Sequence, residues 1–217
     1  MDTLVGGKPV PVTVQPDGLK GLLGIPVSLR GLVIFAHGSG SGRLSPRNNH
    51  VADGLRAAGL ATLLIDLLTP DEEMDRAKVF DIPLLASRLT GAAAWARRVP
   101  GLKRLPMGYF GASTGAGAAL LAASTAGSDI TAIVSRGGRP DLAGAQALAH
   151  VQAATLLIVG SRDIPVIGLN RVAMRHLRAE KALVIVPEAT HLFEEPGTLD
   201  EVIRHAADWF VRHFKEA

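Results

Sequence analysis

The chain has 217 residues, of which 47% are hydrophobic and 20% charged, with a formal net charge of +3. These proportions describe a globular chain long enough for one full-sized core and exclude a disordered segment. The charge is small and unclustered, which argues against a nucleic-acid surface, and the absence of cysteine excludes disulfides, thiolate metal sites and a thiol nucleophile.

Met1-Asp2-Thr3 opens the chain without a basic segment and apolar run. No apolar run approaches the roughly 18 residues of a membrane span. A soluble, cytoplasmic protein with no membrane partner is the expectation. Residues 10–14 and 19–25 flank Gln15-Pro16-Asp17-Gly18, a strong turn signal, and read as an antiparallel edge hairpin within residues 1–30. Pro9 and Pro11 fit an edge strand, which can spare donors. Residues 32–36 form a continuous apolar strand ending in His37-Gly38-Ser39-Gly40-Ser41-Gly42-Arg43. Ser45-Pro46 predicts a helix start, with Gly59 as its end. Residues 61–68 are the next buried strand. Residues 69–83 carry Asp71, Glu72, Glu73, Asp75, Arg76, Lys78 and Asp81, and predict a charged surface excursion beside the site. A helix follows over 84–98.

Residues 105–117 organise the rest. They predict a short buried strand, a tight turn and an Ala-rich helix over 116–126, with Gly111-x-Ser113-x-Gly115 at the turn. That pattern puts a serine on a sharp strand-to-helix corner, the nucleophile elbow. Strands are then predicted at 130–135, 155–159 and 183–186, and helices at 141–150, 166–178 and 199–214. Strands alternating with helices imply one α/β domain over 1–217 with a mostly parallel sheet covered on both faces. Its ligands are expected beyond the C-terminal strand ends, where His37, Ser113, Arg136, Asp163 and His191 all fall.

A serine hydroxyl needs a base, and the base needs an orienting carboxylate. Of seven histidines, only His37 and His191 occupy loops at strand ends. In elbow enzymes the order is serine, acid, histidine, which selects His191. Asp163 is the preferred acid, because it lies in a loop after a buried strand. Asp129 precedes a strand, at the wrong end. Asp141 and Glu188 are the rivals. The alternative is that Asp163 caps a helix and His191 is a structural loop residue. The oxyanion donors are expected to be the backbone amides of Thr114 and Ser39, with Gly40 as second choice. His37 is expected to brace that loop. Arg43, Arg47, Arg136, Arg139 and Arg162 fall on rim loops. Arg43 and Arg136 are candidate substrate residues for an anionic ester, against a solvated or structurally paired role. A different reading takes Gly38-x-Gly40-x-Gly42 with Asp66 as a dinucleotide fingerprint, but Arg43 stands where its third glycine is required. No metal-ligand spacing or phosphate loop is present.

On Phe35–Arg43, Gly111–Gly115, Gly160–Asp163 and His191–Phe193 the chain resembles the α/β-hydrolases, closest to the dienelactone hydrolase-like branch, from about residue 10 to its end. The resemblance implies an eight-stranded, mostly parallel sheet and a Ser/Cys–Asp–His triad; no cofactor or metal is expected. Dienelactone hydrolases use cysteine at the elbow. Serine here turns the expectation from dienelactone to small esters, cleaved by a serine esterase with an open site and no large cap. Acyl transfer to another alcohol, perhydrolysis, and non-catalytic binding of a small molecule are the alternatives.

Overall fold

Every residue of β3 (Gly31–Ala36), β4 (Leu60–Ile65) and β5 (Met107–Ala112) is buried. Only a sheet covered on both faces accommodates such strands. The computed structural model, which describes residue 6 and residues 8–214, supplies that sheet. An edge hairpin, β1 (Val10–Val14) and β2 (Leu19–Gly24), pairs antiparallel from Val10 opposite Leu23 to Val14 opposite Leu19. β2 runs antiparallel to β4. β6 (Ile130–Arg136), β7 (Ala154–Gly160) and β8 (Lys181–Val186) extend the parallel part. The order is β1-β2-β4-β3-β5-β6-β7-β8. This is the single-domain α/β architecture that the alternation predicts. The part of the expected N-terminal segment at residues 1–5 and 7 lies outside the described residues.

β3 has β4 on one side and β5 on the other. The chain therefore reverses its direction of travel at β3, and the loops leaving β3 and β5 open a crevice at that switch point. α1 (Pro46–Ala57) and α8 (Thr198–His213) cover one face, through Val51, Leu55, Val202 and Phe210. α4 (Ile82–Ala96) and α5 (Thr114–Ala123) cover the other, through Leu85, Leu89, Ala118 and Leu120. α6 (Ala145–His150) and α7 (Ile164–His176) close the far end. The charged excursion is two one-turn helices, α2 (Pro70–Glu73) and α3 (Arg76–Val79). α2 is tied to α4 by the Arg88–Glu72 ion pair at 3.1 Å.

Several boundaries differ from the sequence reading, three of them for reasons visible in the local structure. α4 starts at Ile82, because Asp81 caps it by accepting from the Leu84 amide at 2.9 Å and Pro83 is harmless in a first turn. β4 stops at Ile65, short of the expected Leu68, because Asp66 turns out of the strand to accept from the Arg43 amide at 2.6 Å. Residues 141–150 do not form one helix: a 3₁₀ turn at Pro140–Ala143 precedes α6, and Gly144 at φ 81° separates them. No helix among the described residues is long and apolar enough to cross a membrane.

Candidate active site

β5 ends at Ala112 and α5 begins at Thr114, which leaves Ser113 alone at the corner with φ 49° and ψ −122°. That backbone region is costly for any residue with a Cβ, by about 1–3 kcal/mol. The neighbourhood holds it in place. The Ser113 amide donates to Arg136 O at 3.3 Å, and Ser113 O accepts from the amides of Ala116 and Arg139 at 3.1 and 3.0 Å. The flanking glycines let strand and helix approach. A Cβ at Gly111 would stand 2.5 Å from Ala116 Cα, and one at Gly115 would stand 2.2 Å from Ala36 O. Both obstacles are backbone atoms that cannot swing aside. Gly115→Ala is therefore expected to destabilise the fold by about 3 kcal/mol or more. Thermal denaturation checks this, and a Tm equal to that of the parent would contradict the close approach.

His191 lies in the loop after β8. Its Nδ1 is 2.6 Å from Asp163 Oδ2, and the Asp163 side chain is only 12% exposed. Asp163 occupies the N-cap place of α7, yet its side chain makes no capping bond. The carboxylate is committed to the imidazole instead. The two loops are joined by backbone: Ser161 N donates to Val186 O at 2.9 Å and Arg162 N to Ala189 O at 3.0 Å. The rival acids are spent elsewhere. Asp141 holds Arg139 through two bonds of 2.8 and 2.7 Å, and exposed Glu188 pairs with Arg162.

The His191 loop has two supports that the sequence reading missed. Phe193 is buried at 2% exposure, and Glu195 Oε2 accepts from the Thr190 amide at 3.1 Å. Hydrogen bonds from Thr190 hold the Glu195 carboxyl below the ordinary carboxylate range. Neither role has a local signal, because each depends on how the loop folds back on itself. A Cβ at Gly137 would lie 3.0 Å from His191 O and 3.6 Å from its Cε1. The imidazole thus rests against the residue following Arg136, whose carbonyl holds the Ser113 amide. Among the described residues no hydrogen bond joins Ser113 to His191. Such bonds commonly tighten only when substrate is bound.

His37 braces the glycine loop as expected. Its Nδ1 is 3.0 Å from Gly38 O, and its Nε2 accepts from the Leu67 amide at 3.0 Å. Thr114 is the first residue of α5, so its amide is one of the helix donors without an intrahelical acceptor. The Ser39 amide is engaged: it donates to Thr114 Oγ1 at 3.2 Å. Gly40, at φ 70°, turns the loop. Asp66 accepts from the Arg43 amide at 2.6 Å and also pairs with its guanidinium. This removes Arg43 as a free anion binder and leaves Asp66 no role with a ribose. A cleft of about 590 Å³ opens here, lined by residues 37–47 with Asp66, Leu68, Glu73, Val79, Leu85 and Thr114. Glu73 and Val79 bring the charged excursion to its wall. No group of three or more His, Asp or Glu among the described residues could hold a metal ion.

No protein-family model matches the chain. It is 56% identical, over 204 residues and 94% of its length, to proteins from two strains of Mycobacterium tuberculosis that carry the provisional name phosphoribosyl transferase. It spans 46% of the length of those relatives. Est1E from Butyrivibrio proteoclasticus shares the fold at 14% identity, with a TM-score of 0.81 over 97% of this chain and 100% of that one. The crystal structure of dienelactone hydrolase from Anabaena variabilis matches with 54% identity and a TM-score of 0.90, over 96% of this chain and 100% of that one. With that identity sustained along both molecules, the chain belongs to the dienelactone hydrolase family.

Proposed function

We propose that the chain is a serine carboxylesterase that cleaves small esters through an acyl-enzyme on Ser113. The observation that carries this reading is the 2.6 Å Asp163–His191 contact, made by a carboxylate that forgoes capping its own helix, on the rim where Ser113 is held in a strained corner. Asp163 keeps a proton on His191 Nδ1, which leaves Nε2 as the base. Ser113 Oγ attacks the ester carbonyl carbon and its proton passes to Nε2. The carbonyl oxygen becomes an oxyanion and takes the Thr114 amide and the Ser39 amide, the latter exchanging the Thr114 hydroxyl for it. As the tetrahedral species collapses, the bond to the leaving oxygen breaks, and the Nε2 proton goes to the departing alcohol. Water, deprotonated by His191, then attacks the acyl-enzyme. The acid leaves and Ser113 recovers its proton.

The substrate is a small-molecule ester, and no step needs a cofactor or metal. Reaction with a fluorophosphonate probe tests the assignment. Intact-mass and peptide analysis should find one adduct, on Ser113. A folded protein that stays unlabelled, or is labelled elsewhere, would reject it.

A further inference from the structure

The sheet order puts the parts of the site on opposite sides of the nucleophile corner. Ser113 follows β5, which has β3 as one neighbour and β6 as the other. Asp163 and His191 follow β7 and β8, on the β6 side. The 590 Å³ cleft lies on the opposite side, among the loops that leave β3 and β4. Ser39 and Thr114 belong to its walls, whereas Asp163 and His191 do not.

A tetrahedral ester carbon has four substituents, and the site assigns three of them. One is the Ser113 oxygen. One is the oxyanion, held by the Thr114 and Ser39 amides. One is the leaving oxygen, which must come within reach of His191 to take its proton. The leaving alcohol therefore departs on the β8 side. The acyl group takes the remaining direction, toward β3 and β4, where the cleft is.

The cleft is built for apolar matter. Leu68 and Leu85 line it at 4% and 3% exposure, and Val79 is half-buried against the same core. Leu44 lines its mouth at 68% exposure. Met74 and Phe80, at 87% and 48%, follow directly on the lining residues Glu73 and Val79. Large apolar side chains gathered in water beside a cavity mark an apolar binding surface. The charges near them stand at the edge: Arg43 is paired with Asp66, and Glu73 is exposed. The wall that carries Glu73 and Val79 is anchored. At the start of α2, Thr69 Oγ1 accepts from the Glu72 amide at 3.3 Å, and Glu72 Oε2 accepts from the Thr69 amide at 3.0 Å. Arg88 of α4 holds Glu72 at 3.1 Å and also pairs with Asp17 in the turn between β1 and β2.

We propose that this cleft is the acyl pocket, that it takes an apolar acyl chain longer than acetyl, and that Val79 limits the chain's length. Val79 belongs to the segment after β4, the strand two places from β5, and so bounds the cleft on the side away from Ser113. The proposal rests on the esterase reading.

The test measures kcat/KM on two pairs of esters. p-Nitrophenyl acetate and hexanoate differ only in the acyl group, while ethyl and hexyl acetate differ only in the alcohol. Each methylene taken out of water is worth about fourfold in rate, so a chain four methylenes longer should gain at least about tenfold. The parent protein should show that preference for hexanoate over acetate. Val79→Trp, which fills the cleft, should bring the hexanoate-to-acetate ratio down to about one or below. The hexyl-to-ethyl ratio should be the same in both proteins. If Val79→Trp does not fold, Val79→Ala takes its place, and its wider cleft should raise the octanoate-to-hexanoate ratio above that of the parent. A parent that cleaves acetate as well as hexanoate would overturn the proposal. So would a Val79 variant that alters the alcohol ratio and spares the acyl ratio, since the cleft would then hold the leaving group. Failure of the esterase reading looks different: none of the esters would be turned over, and no fluorophosphonate adduct would form on Ser113.

Discussion

Ser113→Ala is expected to lower kcat on p-nitrophenyl acetate by about 10⁶-fold, the loss that follows when a triad nucleophile is removed. Its Tm should stay close to that of the parent. The hydroxyl has no hydrogen-bond partner among the described residues, so its removal orphans nothing. The cost at this position lies in the backbone, at φ 49° and ψ −122°. Ser113→Gly should accordingly be inactive and more stable than the alanine variant by about 1 kcal/mol, since glycine tolerates this region. Thermal denaturation and initial rates on the same preparations separate the two effects. Strain in the Ser113 backbone lowers stability, and the esterase reading gives it the task of presenting the hydroxyl.

Asp163→Asn is expected to lower kcat by about 10⁴-fold, the size of this exchange in other serine triads. The reason is the placement of a proton. An aspartate at 2.6 Å accepts from His191 Nδ1–H and leaves Nε2 free to take the serine proton. An asparagine turned to donate its amide N–H makes Nδ1 the acceptor, and Nε2 then carries the proton and cannot act as base. The fold should survive, because the Asp163 side chain does not cap α7. Circular dichroism with steady-state kinetics checks this. An active Asp163→Asn with unchanged kcat would assign the orienting role to another residue. Asp141 and Glu188, the other acids in reach of sequence reasoning, are occupied by Arg139 and Arg162.

The parts of the site that could be read in the amino-acid sequence are those whose chemistry is local. Gly111, Ser113 and Gly115 announce a corner because only glycine permits approaches of 2.5 and 2.2 Å to backbone atoms. Asp163 and His191 can be singled out as candidates because each lies in a loop after a largely apolar strand, and chain order does the rest. The alternation of strands and helices likewise implies the sheet, and Pro11 the edge position of β1.

What stayed hidden depends on contacts between remote residues. Leu67 and Leu68 are apolar and buried, and fall within the expected strand, yet they lie in a loop beyond Asp66, where the Leu67 amide anchors His37. An apolar run marks burial and does not separate a strand from a buried turn. α5 starts at Thr114, two residues before the expected Ala116, which puts Gly115 and Gly117 inside the helix, where packing explains them. A Cβ at Gly117 would lie 2.9 Å from Arg139 O. The Ser39 amide was expected to be an open oxyanion donor, and its engagement by Thr114 Oγ1 joins residues 75 apart in the chain. The arginines are the clearest case. Composition counts the charges, but only the fold distributes the carboxylates among them and leaves Arg136 without one.

Peptide mapping of protein quenched in acid during turnover of p-nitrophenyl acetate tests the covalent route most directly. The esterase account predicts an acetyl group on the peptide containing Ser113, accumulating with the initial burst of p-nitrophenol and absent from Ser113→Ala. An acetyl group on a different residue, or steady turnover with Ser113 never modified, would contradict it.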